Sequence, residues 1–96
     1  MLLHEIRQLK PEIERLTARC GASRVRVFGS VARGEDRPDS DVDFLVELPR
    51  GYDLISQRLA LTQHLSRLLK RHVDLIPEHE LNPHIRADVL AEAVPL

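Results

Sequence analysis

Aromatic side chains are scarce in this chain: Phe28, Phe44 and Tyr52 are all it has, and tryptophan is absent. Proteins that hold single-stranded nucleic acid stack bases on aromatic platforms, and those that track a phosphate backbone carry a basic excess. Here 14 lysines and arginines stand against 15 aspartates and glutamates, a formal net charge of −1. A polynucleotide partner is therefore not expected. The single cysteine, Cys20, excludes an internal disulfide and is too little for a structural zinc site, so it reads as a packed or free thiol. Long hydrophobic runs are missing too; Phe44-Leu45-Val46 is representative, well short of the roughly 18 residues a membrane helix needs. The first residues alternate leucine with His, Glu, Arg and Lys, unlike a secretory signal, which makes a cytoplasmic location the default expectation. What remains is a 96-residue chain, 43% hydrophobic and 30% charged, with the composition of one globular domain spanning residues 1–96.

Periodicity gives the elements. Leu2, Ile6, Leu9, Ile13 and Leu16 recur at three- and four-residue intervals, the stripe of an amphipathic helix. Pro11 either opens a helix over about 11–20 or kinks a longer one, and Gly21 is a stop signal. Residues 24–28 alternate and read as a strand, and 42–48 as a second, closed by Pro49-Arg50-Gly51. Over about 53–70, Leu54, Arg58, Leu61, Leu65 and Leu68 share one side of a long helix. A short strand over 72–76 ends at Pro77. Asn82 and Pro83 form an N-cap and first-turn pair, opening a helix with Ile85, Val89, Leu90, Ala93 and Val94 on its buried side. A right-handed crossover through the 53–70 helix brings the third strand alongside the second. The expected fold is α/β (α+β), a small mixed three-stranded sheet flanked by helices.

The chemistry concentrates between the first two strands, in Gly29-Ser30-Val31-Ala32-Arg33-Gly34, a polar loop, and Ser40-Asp41-Val42-Asp43. A glycine after a strand that opens a short helix lets bare backbone N–H groups and the Ser30 hydroxyl face an anion. Asp41 and Asp43 are two apart on a strand, so both carboxylates leave the same face with Cα atoms about 6.5–7 Å apart, while Val42 and Phe44 point into the core. Two carboxylates beside a phosphate-cradling turn suit magnesium and a triphosphate, because magnesium takes carboxylate and phosphate oxygens together. Two such ions about 3.5–4 Å apart can clamp the attacking and leaving oxygens of a phosphoryl displacement. In the third strand, Val73 and Leu75 share one face and Asp74 lies on the other with His72 and Ile76. Next to the second strand, Asp74 would join Asp41 and Asp43 as a metal ligand or as the base for an attacking hydroxyl.

Each feature alone is ordinary: alternating aspartates often mark a solvated face, and Gly-Ser is often only a turn. Their joint order on these elements is not. Other candidates are weaker. His4, His64, His72, His79 and His84 show no metal-ligand spacing, and His72, nearest the acids, reads as a surface residue. Glu47 belongs to the rim, and Tyr52 is a contact or self-modification candidate.

Gly29-Ser30, ten residues, then Asp41-Val42-Asp43 resembles the signature of the DNA polymerase β-like nucleotidyltransferase superfamily. The fuller stretches Val27–Gly34 and Ser40–Val46 are similar to its minimal branch, the MNT proteins, and the resemblance extends over nearly the whole chain. It implies that Asp41 and Asp43 are metal ligands for Mg2+, two ions in all, with Asp74 the third catalytic carboxylate and metal ligand. Gly29 and Ser30 would hold the β- and γ-phosphates of ATP. Arg33 would contact the nucleotide or form a structural ion pair, and Ser40 would line the nucleotide or cap its own turn. Larger members carry an additional domain for the acceptor, so part of the acceptor pocket is expected from another molecule. Such minimal proteins resemble the antitoxins of HEPN/MNT pairs, which add AMP to a tyrosine of a HEPN-type toxin. Two alternatives stay open: an antitoxin that only covers its toxin, and a small-molecule nucleotidyltransferase needing a second chain. Homo-oligomerisation is not decided by the sequence.

Overall fold

The computed structural model describes residues 2–96. Two helices open it, α1 (Leu2–Gln8) and α2 (Lys10–Arg19). Pro11 falls in the first turn of α2, where its missing N–H has no intrahelical partner to lose, so the stripe from Leu2 to Leu16 is split at Leu9. β1 (Ser23–Phe28) and β2 (Val42–Glu47) pair antiparallel, with the one-turn helix α3 (Ser30–Arg33) between them. A π-helical segment, Leu54–Leu59, runs into α4 (Ala60–Leu69) and carries the chain to β3 (Val73–Pro77), which pairs parallel to β2. After a short 3-10 turn, Glu78–Glu80, come α5 (Pro83–Glu92) and the two-residue β4 (Val94–Pro95) on the outer edge of β1. The sheet order is β3-β2-β1-β4.

Strand alternation divides the sheet into two faces. One carries Val27, Val42, Phe44, Val46, Val73 and Leu75 into the main core, against Ile6, Ile13, Leu61 and Leu65 of the helices. The other carries Phe28, Leu45 and Ile76, covered by Leu81, Val89 and Ala93 of the α5 region. α5 covers only part of this second face: Asp43 is half-buried and Asp74 exposed on it, whereas Arg26 of β1 is buried.

Three expectations need correction. The sheet has four strands, not three: the helix expected to run through Val94 ends at Glu92, and Val94–Pro95 pairs with β1. Two residues are too few for a period-2 signal, and proline is tolerated on an edge strand because no neighbour needs its N–H. The 53–70 helix begins with π winding, which turns less per residue, so a 3.6-residue stripe misplaces its first members. Leu54 and Ile55 are 50% and 73% exposed, whereas Leu61 and Leu65 are fully buried. On α5 only Val89 is buried, and Ile85 at 48% exposure faces outward with Leu90. The Asn82 cap is present, its side chain accepting from the His84 N–H at 2.9 Å.

α4 ends on Lys70 in the left-handed region, φ 54° and ψ 41°. A side chain there costs about 1–2 kcal/mol, which glycine avoids at a smaller entropic cost. Lys70→Gly should therefore stabilise the protein by about 0.5–1 kcal/mol, read as a raised melting midpoint in urea.

Candidate nucleotide and metal site

The parallel register between β2 and β3 builds the acidic part of the site. Val42 lies opposite Val73 and Asp43 opposite Asp74, so the two carboxylates occupy one rung on the half-covered face. One residue earlier, the Val42 N–H donates to the His72 carbonyl at 3.0 Å, which brings Asp41 alongside His72. Asp41, His72 and Asp74 are exposed, and each offers a ligand atom within 4.8 Å of the others. His72 Nδ1 is 3.3 Å from Asp41 Oδ1. His72 is thus an exposed residue, as its position suggested, but one that shares the edge of this cluster. Asp41 and Asp74 give this group carboxylate oxygens, hard donors of the kind magnesium takes, and His72 gives a nitrogen; Asp43 is not part of it, so the two carboxylates fit magnesium and Asp43 stands behind them.

Asp43 is half-buried and turns toward the Gly29 turn; a Cβ placed on Gly29 would run into its carboxylate. Gly29 itself has φ 76° and ψ −155°, a conformation essentially restricted to glycine. Burial first, then the negative charges of Asp74, Asp41 and Glu92, push the Asp43 carboxyl up to about 6, with Arg33 opposing them. Ser30, next in sequence, is part-exposed at the start of α3, and its carbonyl accepts from the Glu35 N–H at 2.8 Å.

Two sequence candidates are engaged locally. Arg33 pairs with Glu35 at 3.3 Å and with Glu92, the ion-pair alternative given above. The Ser40 hydroxyl accepts from the Arg37 N–H at 2.7 Å, the turn-capping alternative. Glu47 pairs with Arg24 at 3.2 Å at the far end of β2. The Tyr52 hydroxyl donates to Glu80 at 2.5 Å and accepts from Arg58 at 3.2 Å, a brace between the β2–α4 connection and the 3-10 turn.

Two contributors escaped the sequence reading. Glu92, the last residue of α5, accepts from the Gly29 N–H at 2.8 Å. Burial raises its pKa, but the Arg33 pair and the Gly29 N–H outweigh that and hold the group below its ordinary value. Arg71 Nη1 donates to the carbonyls of Arg37, Pro38 and Ser40 at 3.1, 2.6 and 3.0 Å, fixing the loop that delivers Asp41. Neither leaves a local signal, since each acts on a turn more than 30 residues away in the chain. A groove of about 760 Å³ lies elsewhere, between α2, β1 and α5, and Asp41, Asp43 and Asp74 do not line it. The candidate site is an open shelf instead.

The fold is that of a minimal nucleotidyltransferase. The sequence matches the family described as nucleotidyltransferase domain over residues 6–96, and the chain belongs to that family. It is 39% identical over 79 residues to the protein adenylyltransferase MntA of Thermococcus cleftensis, covering 82% of this chain and 79% of that protein. Over 89 residues it is 33% identical to a candidate protein adenylyltransferase of Methanocaldococcus jannaschii, MJ0435, covering 93% and 95% of the two chains. A solved structure described as a minimal nucleotidyltransferase superposes with a TM-score of 0.86 at 47% identity, covering 100% of this chain and 97% of that one. A toxin–antitoxin crystal structure with AMP-PNP shares the fold at a TM-score of 0.75 and 24% identity, covering 90% and 70%.

Two outcomes follow from the Gly29–Asp43 contact. Gly29→Ala should lose at least about 1–3 kcal/mol through backbone strain, since the added methyl also displaces Asp43; chemical denaturation measures it. Between about pH 4 and 6 the folded metal-free protein holds the Asp43 proton that the unfolded chain releases, so Asp43 costs stability as pH rises through this window. In EDTA, Asp43→Asn should melt above the wild type at pH 7, and the difference should shrink toward pH 4.

Proposed function

We propose that this nucleotidyltransferase moves AMP from ATP to a hydroxyl, a tyrosine of a HEPN-type toxin, and acts in the cytoplasm as the antitoxin of that pair. The observation that carries the reading is the Asp43–Asp74 rung next to the Gly29 turn, with Asp41 one step away. The protein-acceptor part draws support from relatives named protein adenylyltransferases. The toxin partner draws on the fold shared with a toxin–antitoxin complex.

Asp41, Asp43 and Asp74 would hold two magnesium ions, which when bound neutralise phosphate charge and the departing pyrophosphate. The protein's own groups divide the remaining work. Ser30 offers its hydroxyl and backbone N–H to the β- and γ-phosphates, at a turn whose glycine lets the chain come close. Asp43, held in the less exposed position, is charged at neutral pH only at a cost, so it favours states in which a cation is present. Asp74, exposed on β3, is placed to meet an acceptor arriving from solvent and takes its hydroxyl proton. The acceptor oxygen bonds to the α-phosphorus, the bond from that phosphorus to the β-bridging oxygen breaks, and pyrophosphate leaves with those electrons. The product is an adenylylated side chain.

The test uses α-labelled ATP, magnesium and a purified HEPN-type toxin. Label should appear on the toxin, disappear with EDTA, and fall at least about 100-fold in Asp41→Asn or Asp43→Asn, since each removes several kcal/mol of charge stabilisation. Toxin neutralisation that persists in cells with both substitutions would identify a covering antitoxin instead. Label transfer to a small hydroxyl compound and not to protein would identify the small-molecule enzyme.

A further inference from the structure

Glu92 ends α5 with a negative charge where the helix dipole disfavours one, and no basic residue lies in that last turn. Its two carboxylate oxygens have separate partners. Oε2 accepts from the Gly29 N–H at 2.8 Å, and Oε1 pairs with the Arg33 guanidinium on α3. The carboxylate therefore spans both ends of the Gly29–Arg33 segment from an element 59 and 63 residues away in sequence. Gly29 is also where the backbone leaves ordinary space, at φ 76° and ψ −155°, with Asp43 packed against it. A flexible glycine held in one uncommon conformation needs a tether, and a charge-assisted bond to its N–H supplies one.

We infer that Glu92 is a positioning residue for the nucleotide: it holds Gly29 in the conformation that presents Ser30 to the polyphosphate, and so couples the end of α5 to nucleotide affinity. The inference rests on the reading of the Gly29–Ser30 turn as the polyphosphate grip. Glu92 does not touch the phosphates in this scheme. Its charge opposes them, while its oxygen shapes the turn that receives them. These two effects can be separated, because glutamine keeps an acceptor oxygen and loses the charge.

The experiment measures binding of Mg–AMP-PNP by calorimetry, below the melting temperature of each variant, together with the Gly29 amide resonance. Glu92→Ala should bind about tenfold more weakly, the loss of one charge-assisted hydrogen bond that orders the turn. Glu92→Gln should bind within about twofold of wild type or more tightly. The Gly29 amide proton should move upfield in both variants, and its exchange with solvent should accelerate most in Glu92→Ala. Wild-type affinity in a folded Glu92→Ala protein overturns the inference, as does a Glu92→Gln variant as weak as the alanine one. A Gly29 amide indifferent to both changes overturns it as well. If Glu92→Ala fails to fold, the glutamine variant and the amide resonance decide. Should wild-type protein itself ignore Mg–AMP-PNP, the polyphosphate reading falls first and takes this inference with it.

Discussion

The site depends on register. β2 and β3 run parallel with Asp43 directly opposite Asp74, and the ladder that sets this is the same one that buries Val42, Phe44, Val73 and Leu75 on the reverse face. A slip of one residue would turn every side chain of β3 over, moving Asp74 into the core and Val73 and Leu75 into solvent. The apolar face therefore guarantees the acidic one. Asp43 loses water in its half-buried position and is repelled by Asp74 on the adjacent strand, and it is pushed up to about 6 as a result. That cost is borne by a core containing Phe44, Leu61 and Leu65, all fully buried.

Around this rung the second face of the sheet is used unevenly. Val89 of α5, with Leu81 before the helix and Ala93 after it, covers Phe28, Leu45 and Ile76, and the helix ends at Glu92 beside the Gly29 turn. The acids beyond it stay uncovered. The proposed activity would have to admit both a triphosphate and the side chain of another protein, which calls for an open shelf more than for a closed cavity, and this half-covered sheet is open in that way.

The parts that were legible in the sequence are those with short-range signatures. The first-turn Pro11, the Asn82 cap and the pairing of the third strand with the second all follow from spacing and local chemistry, whereas Asp41, expected on the second strand, lies just before its first residue, Val42. The misses have physical reasons. The inner side of the 54–69 helix was misjudged at Leu54 because π winding breaks the 3.6-residue period. Ile85 and Leu90 carry a helical stripe that the fold leaves exposed, at 48% and 36%, which no local pattern could foretell. Glu92 and Arg71 could not be singled out, because a carboxylate or guanidinium reaching a distant backbone group looks like any surface charge in sequence. His72 was placed near the acids but its approach to Asp41 depends on a rotamer.

What Arg71 recognises is backbone. It grips three consecutive-region backbone oxygens, those of Arg37, Pro38 and Ser40, and no side chain of that loop. Carbonyl oxygens are common to all residue types. The identities of Glu35, Asp36 and Asp39 are thereby freed from the task of aiming Asp41, and the loop can drift under mutation, changing the charge it shows to solvent while Asp41 behind it keeps its place.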